Sequence, residues 1–321
     1  MRHARVVTVT LSSAIDRVIV ARGLSRGGSV AAREVSRLPG GKGFNAARGI
    51  AALGGRCTAA GLVGSRRSEW FRRRLRELSD RRVGARLVLT RGGMRECFTI
   101  RDPAARSEWH LRTEPGEVNT ADAERLVSQV LSLVGAGGIV ALCGSSPPGA
   151  GLACFLTLFA ECRARGARVA VDTSGESLAA VLEDPMWLLK INADELSEVT
   201  GRKTGTLRQV AAAARALCRP RTGASRVVIV TRGRSGAVMA SSRGVVQSRA
   251  SINQRRVAGT VGCGDALLAG VLEAKSRGRS WSEALRLGVA SASALAVSET
   301  PGVFTRQQAM MQYESTTVEP L

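Results

Sequence analysis

The sequence predicts an α/β fold: a mostly parallel sheet covered by helices on both faces, with a small β lid beside it. Three observations predict it. From residue 120 onward, short apolar runs alternate with helical stretches, the pattern of βαβ units. These runs are apolar throughout instead of alternating with polar residues, which suits strands buried on both faces. Segments 86–90, 96–101 and 108–113 break the alternation and are assigned to the lid.

In order, residues 6–11 (VVTVTL) read as a β-branched buried strand, continued by 17–21. Residues 44–53 form a small, Ala-rich helix that stops at Gly54-Gly55. Trp70, Phe71, Leu75 and Leu78 recur at helical spacing in 69–79. Arg91-Gly92-Gly93 joins 86–90 to 96–101 as a hairpin, and 108–113 adds a strand. The regular part then runs through helix 121–134, strand 138–143, helix 152–165 and strand 168–172. A shorter helix, strand 188–191, helix 208–217, strand 226–231 and helix 266–274 follow. The chain reads as one domain over residues 1–321, with the lid drawn from segments about 12–38 and 86–114. In such sheets, ligands collect beyond the carboxyl ends of the strands.

Composition narrows the function. With 321 residues, 44% of them hydrophobic, the chain is long and apolar enough to bury a core, which excludes wholesale disorder. No apolar run reaches the length of a spanning helix, and the first eleven residues carry Arg2 and Arg5 without a cleavable apolar segment. A soluble, cytoplasmic protein is expected, with no membrane partner. The net charge is +21, and all but Lys42, Lys190, Lys203 and Lys275 of the 47 cationic residues are arginines. Arg is scattered along the chain, and only 3% of residues are aromatic, so stacking platforms for nucleic acid are scarce. A negatively charged metabolite is the expected partner. Seven cysteines without a C-x-x-C pair, and His3 far from His110, argue against zinc and for a reducing compartment.

Two glycine loops carry the chemistry. Pro39-Gly40-Gly41-Lys42-Gly43-Phe44-Asn45 runs into a helix, where free N–H groups and a mobile cation suit an anionic ligand. It lacks Walker spacing, and the plain alternative is an ordinary Gly-rich turn. Thr260-Val261-Gly262-Cys263-Gly264-Asp265 opens a second helix. Its amides suit the charge on a phosphoryl group in flight, and the Asp265 carboxylate can accept a proton from an attacking hydroxyl. The plain alternative for Asp265 is a helix cap.

The pair Gly-Gly-Lys-Gly-x-Asn and Val-Gly-x-Gly-Asp resembles the motifs of the ribokinase-like (PfkB) carbohydrate kinases. Further stretches match in order: Thr10–Asp16, Gly144-Ser145-Ser146-Pro147-Pro148-Gly149, Asp172-Thr173-Ser174-Gly175, Lys190–Leu196 and Thr231–Gly236. The early Lys and the Thr-Leu start resemble the 1-phosphofructokinase and tagatose-6-phosphate kinase subgroup. The resemblance implies a ribokinase-like three-layer fold and a kinase using ATP and Mg²⁺ on a ketohexose monophosphate. The leading case is fructose 1-phosphate; tagatose 6-phosphate and fructose 6-phosphate are alternatives. It also implies a homodimer through the lid. A basic binding or regulatory protein on the same fold is the alternative from another class.

Residue by residue, the resemblance implies Asp265 as general base, with the amides of Gly262, Cys263 and Gly264 as anion hole. Asp16, Gly40, Gly41 and Asn45, joined by Ser145, would hold the sugar. Lys42 and Arg95 would take the phosphate already on it, Arg95 by its guanidinium fork. Lys190, Asn192, Thr231, Gly233, Gly236 and Gly264 would bind the nucleotide, and Asn192 with Glu195 would organise Mg²⁺ through water. Three departures stand out. Ser12-Ser13 replaces Asn-Pro, Ile191 replaces Pro, and 28–32 lacks the basic residue expected there, with Arg26 or Arg33 as substitutes.

Overall fold

Apolar, β-branched runs set the architecture, because strands with no polar face must be covered on both sides. The structure, a computed structural model, describes residues 4–105, 107–218, 226–253 and 256–321; Arg2 and His3 lie outside the described residues. The first half contains β1 (Val6–Thr10), β2 (Ala14–Ala21), β3 (Ala32–Gly40), α1 (Lys42–Ala52), β4 (Cys57–Gly64), α2 (Ser68–Leu78), β5 (Val83–Thr90), β6 (Arg95–Asp102) and β7 (Ser107–Arg112). There follow α3 (Thr120–Leu131), β8 (Ile139–Cys143), α4 (Gly151–Ala164), β9 (Arg168–Asp172), α5 (Gly175–Val181), β10 (Leu188–Asn192), α6 (Ala193–Thr200), α7 (Leu207–Leu217) and β11 (Val227–Thr231). The chain closes with β12 (Ala237–Ser241), β13 (Gly244–Ala250), α8 (Cys263–Ser276), α9 (Trp281–Ala296), α10 (Arg306–Glu314) and β14 (Thr316–Pro320).

The large sheet has the order β14-β13-β12-β11-β10-β9-β8-β1-β4-β5. Pairings from β5 across to β11 are parallel, and β12, β13 and β14 add antiparallel strands. Alternate residues serve opposite faces. Val7 and Val9 pack with Leu126, Phe155, Leu158 and Val210 of α3, α4 and α7. Val6 instead packs with Phe44, Phe71, Leu268 and Leu285 of α1, α2, α8 and α9. This is the three-layer arrangement expected.

The small sheet has the order β3-β2-β6-β7. The strands depart from two local expectations. The 86–90 and 96–101 strands are not a hairpin: β5 pairs in parallel with β4, while β6 pairs with β2 and β7. Residues 86–90 therefore belong to the large sheet. The 17–21 run does not continue the first strand either; the chain leaves the large sheet after β1, and β2 starts the small one. The small sheet's loops are tied by the buried Asp102 carboxylate, which accepts from the amides of Gly23 (2.9 Å), Leu24 (3.1 Å), Ala104 (2.9 Å) and Ala105 (3.2 Å).

Candidate active site

Parallel β1, β8, β9, β10 and β11 end side by side, and both glycine loops open helices next to those ends. The first loop is shaped by close approach. A Cβ on Gly40 would overlap the Asp16 carboxylate, and Gly41 takes φ 108°, a conformation that favours glycine. The second loop turns at Gly262 (φ 81°) to start α8 at Cys263. A Cβ on Gly264 would stand 2.9 Å from Lys190 Nζ, so this turn runs against a cation.

The two loops meet through side chains 220 residues apart. Asn45 Nδ2 donates to Asp265 Oδ2 at 2.8 Å and lies 3.4 Å from Asp16 Oδ2. Asp265 is 7% exposed. Burial pushes its pKa up to about 6; the nearby Asp172 charge adds to the rise, while Lys190 and Lys42 oppose it. Burial also raises Asp16, against the pull of Arg48 and Asn45. A carboxylate near pKa 6 is mostly ionised at neutral pH yet basic enough to take a proton.

Beside it lies a charge triad centred on the fully buried Asp172. Lys42 Nζ donates to Asp172 Oδ1 at 2.8 Å and Lys190 Nζ donates to Asp172 Oδ2 at 3.0 Å. Burial opposes the Asp172 charge, but the two ammonium groups outweigh it and hold its pKa down. Asp172 in turn holds Lys42 above its ordinary value. The triad carries one net positive charge next to the Gly264 amide, a setting for a phosphoryl group. Lys42 is thus engaged with Asp172 beside Lys190, while Arg95, at the start of β6 with Nη2 3.5 Å from Ser12 O, is near enough for its charge to act on Asp16.

The other expected residues are more dispersed. Ser145 is exposed just past β8. Asn192 and Glu195 close on each other as a helix cap: Asn192 Oδ1 accepts from Glu195 N, and Glu195 Oε2 accepts from Asn192 N, each at 2.8 Å. One Glu195 oxygen remains outside that cap, and no group of three His, Cys, Asp or Glu placed to hold a metal ion occurs among the described residues. That donor set fits a hydrated Mg²⁺ carried on nucleotide phosphates, not an all-protein cage. Thr231 ends β11, two strands from Asp172, and Gly233 and Gly236 shape the turn into β12. Gly236 has a packing reason of its own, since a Cβ there would overlap Ser248 O. Burial pushes the Cys263 thiol up to about 12, so the loop offers no thiolate, and in this structure the Cys263 amide donates to Thr260 O at 3.3 Å.

A cavity of about 80 Å³ opens between the small sheet and α8, lined by Asp16, Asn45, Cys97, Thr99, Arg101 and Gly262 among others. Arg101 spans it: a Cβ on Gly259 would overlap its guanidinium, and Arg101 Nε donates to Glu108 Oε1 at 3.0 Å. Arg101 and Arg48 were not singled out from the sequence, where they are two of many arginines. Asp172 had a usable signal, a carboxylate closing an apolar strand.

The chain matches the model of the pfkB family carbohydrate kinases over residues 4–304. It is 33% identical over 289 residues to the 1-phosphofructokinase of Rhodobacter capsulatus, covering 89% of this chain and 88% of that protein. It is 28% identical over 296 residues to the ATP-dependent 6-phosphofructokinase isozyme 2 of Escherichia coli K12, covering 92% and 93%. Among solved structures, phosphofructokinase-2 from Escherichia coli in complex with substrates and products superposes with a TM-score of 0.88 at 27% identity, covering 97% and 98%.

Proposed function

The chain belongs to the pfkB family of carbohydrate kinases, and from that premise we propose that it transfers the γ-phosphoryl group of MgATP to a ketohexose monophosphate. The leading case is fructose 1-phosphate to fructose 1,6-bisphosphate. The observation that carries it is the Asn45–Asp265 hydrogen bond, which joins the two glycine loops beside the Lys42–Asp172–Lys190 triad.

In this reading Asp16 and Asn45 orient the sugar hydroxyls, with Gly40 leaving room for the Asp16 carboxylate. Asp265 accepts the proton of the acceptor hydroxyl as its oxygen bonds to the γ-phosphorus and the bridge to ADP breaks. Amides of Gly262, Cys263 and Gly264, with Lys190 and Lys42, receive the charge spread over the moving phosphoryl oxygens. Asn192 and Glu195 would hold a hydrated magnesium ion, which would supply positive charge to the nucleotide phosphates. Thr231, Gly233 and Gly236 border the nucleotide, and Ser145 the sugar. Arg95 takes the phosphate already on the substrate; Lys42 is reassigned from that role to the transferred group, because it is tied to Asp172.

Fructose 6-phosphate or tagatose 6-phosphate is the second reading, favoured by the likeness to the Escherichia coli 6-phosphofructokinase. An ADP-release assay over the three sugar phosphates, fructose and adenosine separates them. Fastest turnover of fructose 1-phosphate is expected; preference for an unphosphorylated acceptor would remove the role of Arg95. Salt-sensitive DNA retention with no turnover on any acceptor would favour the non-catalytic alternative.

The lid sheet is the surface for a homodimer. Trp109 and Leu111 on β7 are 39% and 55% exposed, and Ile100 and Phe98 lie opposite them in register. No helix among the described residues is long and apolar enough to cross a membrane. None of the seven cysteines is in a disulfide, which suits a reducing cytoplasm.

A further inference from the structure

Arg48 lies one turn beyond Asn45 on α1 and is only 8% exposed. Burial lowers its pKa, and the carboxylates of Asp16 and Asp265 work the other way. Its two terminal nitrogens divide their labour. Nη2 donates to Asn45 Oδ1 at 2.7 Å, and Nη1 donates to Gly302 O at 3.0 Å.

The first bond decides what Asn45 offers. A carboxamide has an accepting end and a donating end of nearly the same shape. With its oxygen fixed by Arg48, the Asn45 amide must turn its Nδ2 toward Asp265 and Asp16. Rotated by half a turn, it would set an oxygen against two carboxylates. The second bond reaches the turn after α9, and that turn touches the small sheet. Ser36 Oγ on β3 donates to Pro301 O at 3.1 Å. A Cβ on Gly302, which has φ 77°, would stand 2.5 Å from Leu38 Cδ1.

We propose that Arg48 is a positioning residue for phosphoryl transfer: it holds the Asn45 amide in the orientation that serves Asp265, and it ties that orientation to the 301–302 turn on which β3 rests. The proposal rests on the kinase reading above. It gives the small sheet a route to the base, from β3 through Pro301-Gly302 and Arg48 to Asn45 and Asp265. None of these contacts requires Arg48 to touch a substrate.

The test is a double-mutant cycle on the full chain with Arg48→Lys, Asn45→Ala and the double variant, measured by ADP release from MgATP and fructose 1-phosphate. A lone ammonium cannot hold both acceptors as a guanidinium fork does. Arg48→Lys is therefore expected to lower kcat by about 10- to 100-fold while KM for MgATP stays within about twofold. In the Asn45→Ala background the same change should cost less than about twofold, because no amide is left to hold. Multiplying losses, a wild-type kcat in Arg48→Lys, or a loss confined to KM for MgATP would each overturn the proposal. Melting temperatures of all four proteins separate lost rate from lost fold. Should Arg48→Lys not fold, Ser36→Ala and Gly302→Ala at the far end of the route are expected to lower kcat without raising KM for MgATP; unchanged kcat in both overturns it. A wild type inactive on every sugar phosphate sinks the kinase reading itself, whereas an active wild type with multiplying losses sinks only the role of Arg48.

Discussion

Replacing Asp265 by Asn should lower activity and raise stability together. In the folded chain, burial and the neighbouring Asp172 lift the pKa of Asp265 from 3.8 to about 6. A folded pKa above the unfolded one means that ionisation works against folding, by about 3 kcal/mol for a shift of this size. Asn carries no charge, so the variant escapes this penalty while keeping a group able to bond Asn45. Using the entropy of unfolding for a chain of this size, the gain corresponds to a Tm higher by about 5 °C at neutral pH. The gain is complete above the folded pKa, shrinks between about pH 6 and pH 4, and vanishes below that. Turnover should fall by roughly 10²–10⁴, because no group remains to accept the proton. Calorimetry of both proteins at about pH 7.5 and pH 4, with an ADP-release assay at the higher pH, checks both halves. An equal or lower Tm for the variant at neutral pH, or the same gap at both pH values, would refute the account of the buried carboxylate. Turnover within tenfold of wild type would remove Asp265 as base.

The kcat/KM profile should rise through an acid limb near about pH 6, and Asp172→Asn should move that limb to lower pH. The direction follows because a neighbouring negative charge is removed and two lysines are freed toward Asp265; a limb that stays or moves up contradicts it. Gly40→Ala should raise KM for the sugar phosphate at least tenfold, since the new methyl displaces Asp16; wild-type KM would show the Asp16 contact to be dispensable. Trp109→Asp with Leu111→Asp should turn a dimer into a monomer by sedimentation, and an unchanged mass would take the interface elsewhere.

Much of the site was legible because its parts sit at strand ends and helix starts, where glycine spacing announces itself. Gly40-Gly41 and Gly262–Gly264 were found as loops, and the structure joins them through Asn45 and Asp265. What the sequence hid is pairing at a distance. Arg91-Gly92-Gly93 signals a turn, but a turn does not say which sheet receives the next strand; β5 goes to β4 and β6 to β2. Lys42 looked free to meet any phosphate until Asp172, 130 residues away, engaged it. Arg48 was hidden by numbers, since in a chain so rich in arginine only burial singles one out.

The large sheet ends in β5 on one side and β14 on the other, and neither border invites a further strand. Arg86 sits within β5, and Glu319 and Pro320 finish β14, the proline having no N–H to lend. Lateral stacking of copies into ribbons is thereby discouraged at both margins. A crowded or overproduced sample should therefore stay dispersed unless its cohesion comes from elsewhere, as through the tryptophan-bearing flank of the smaller sheet.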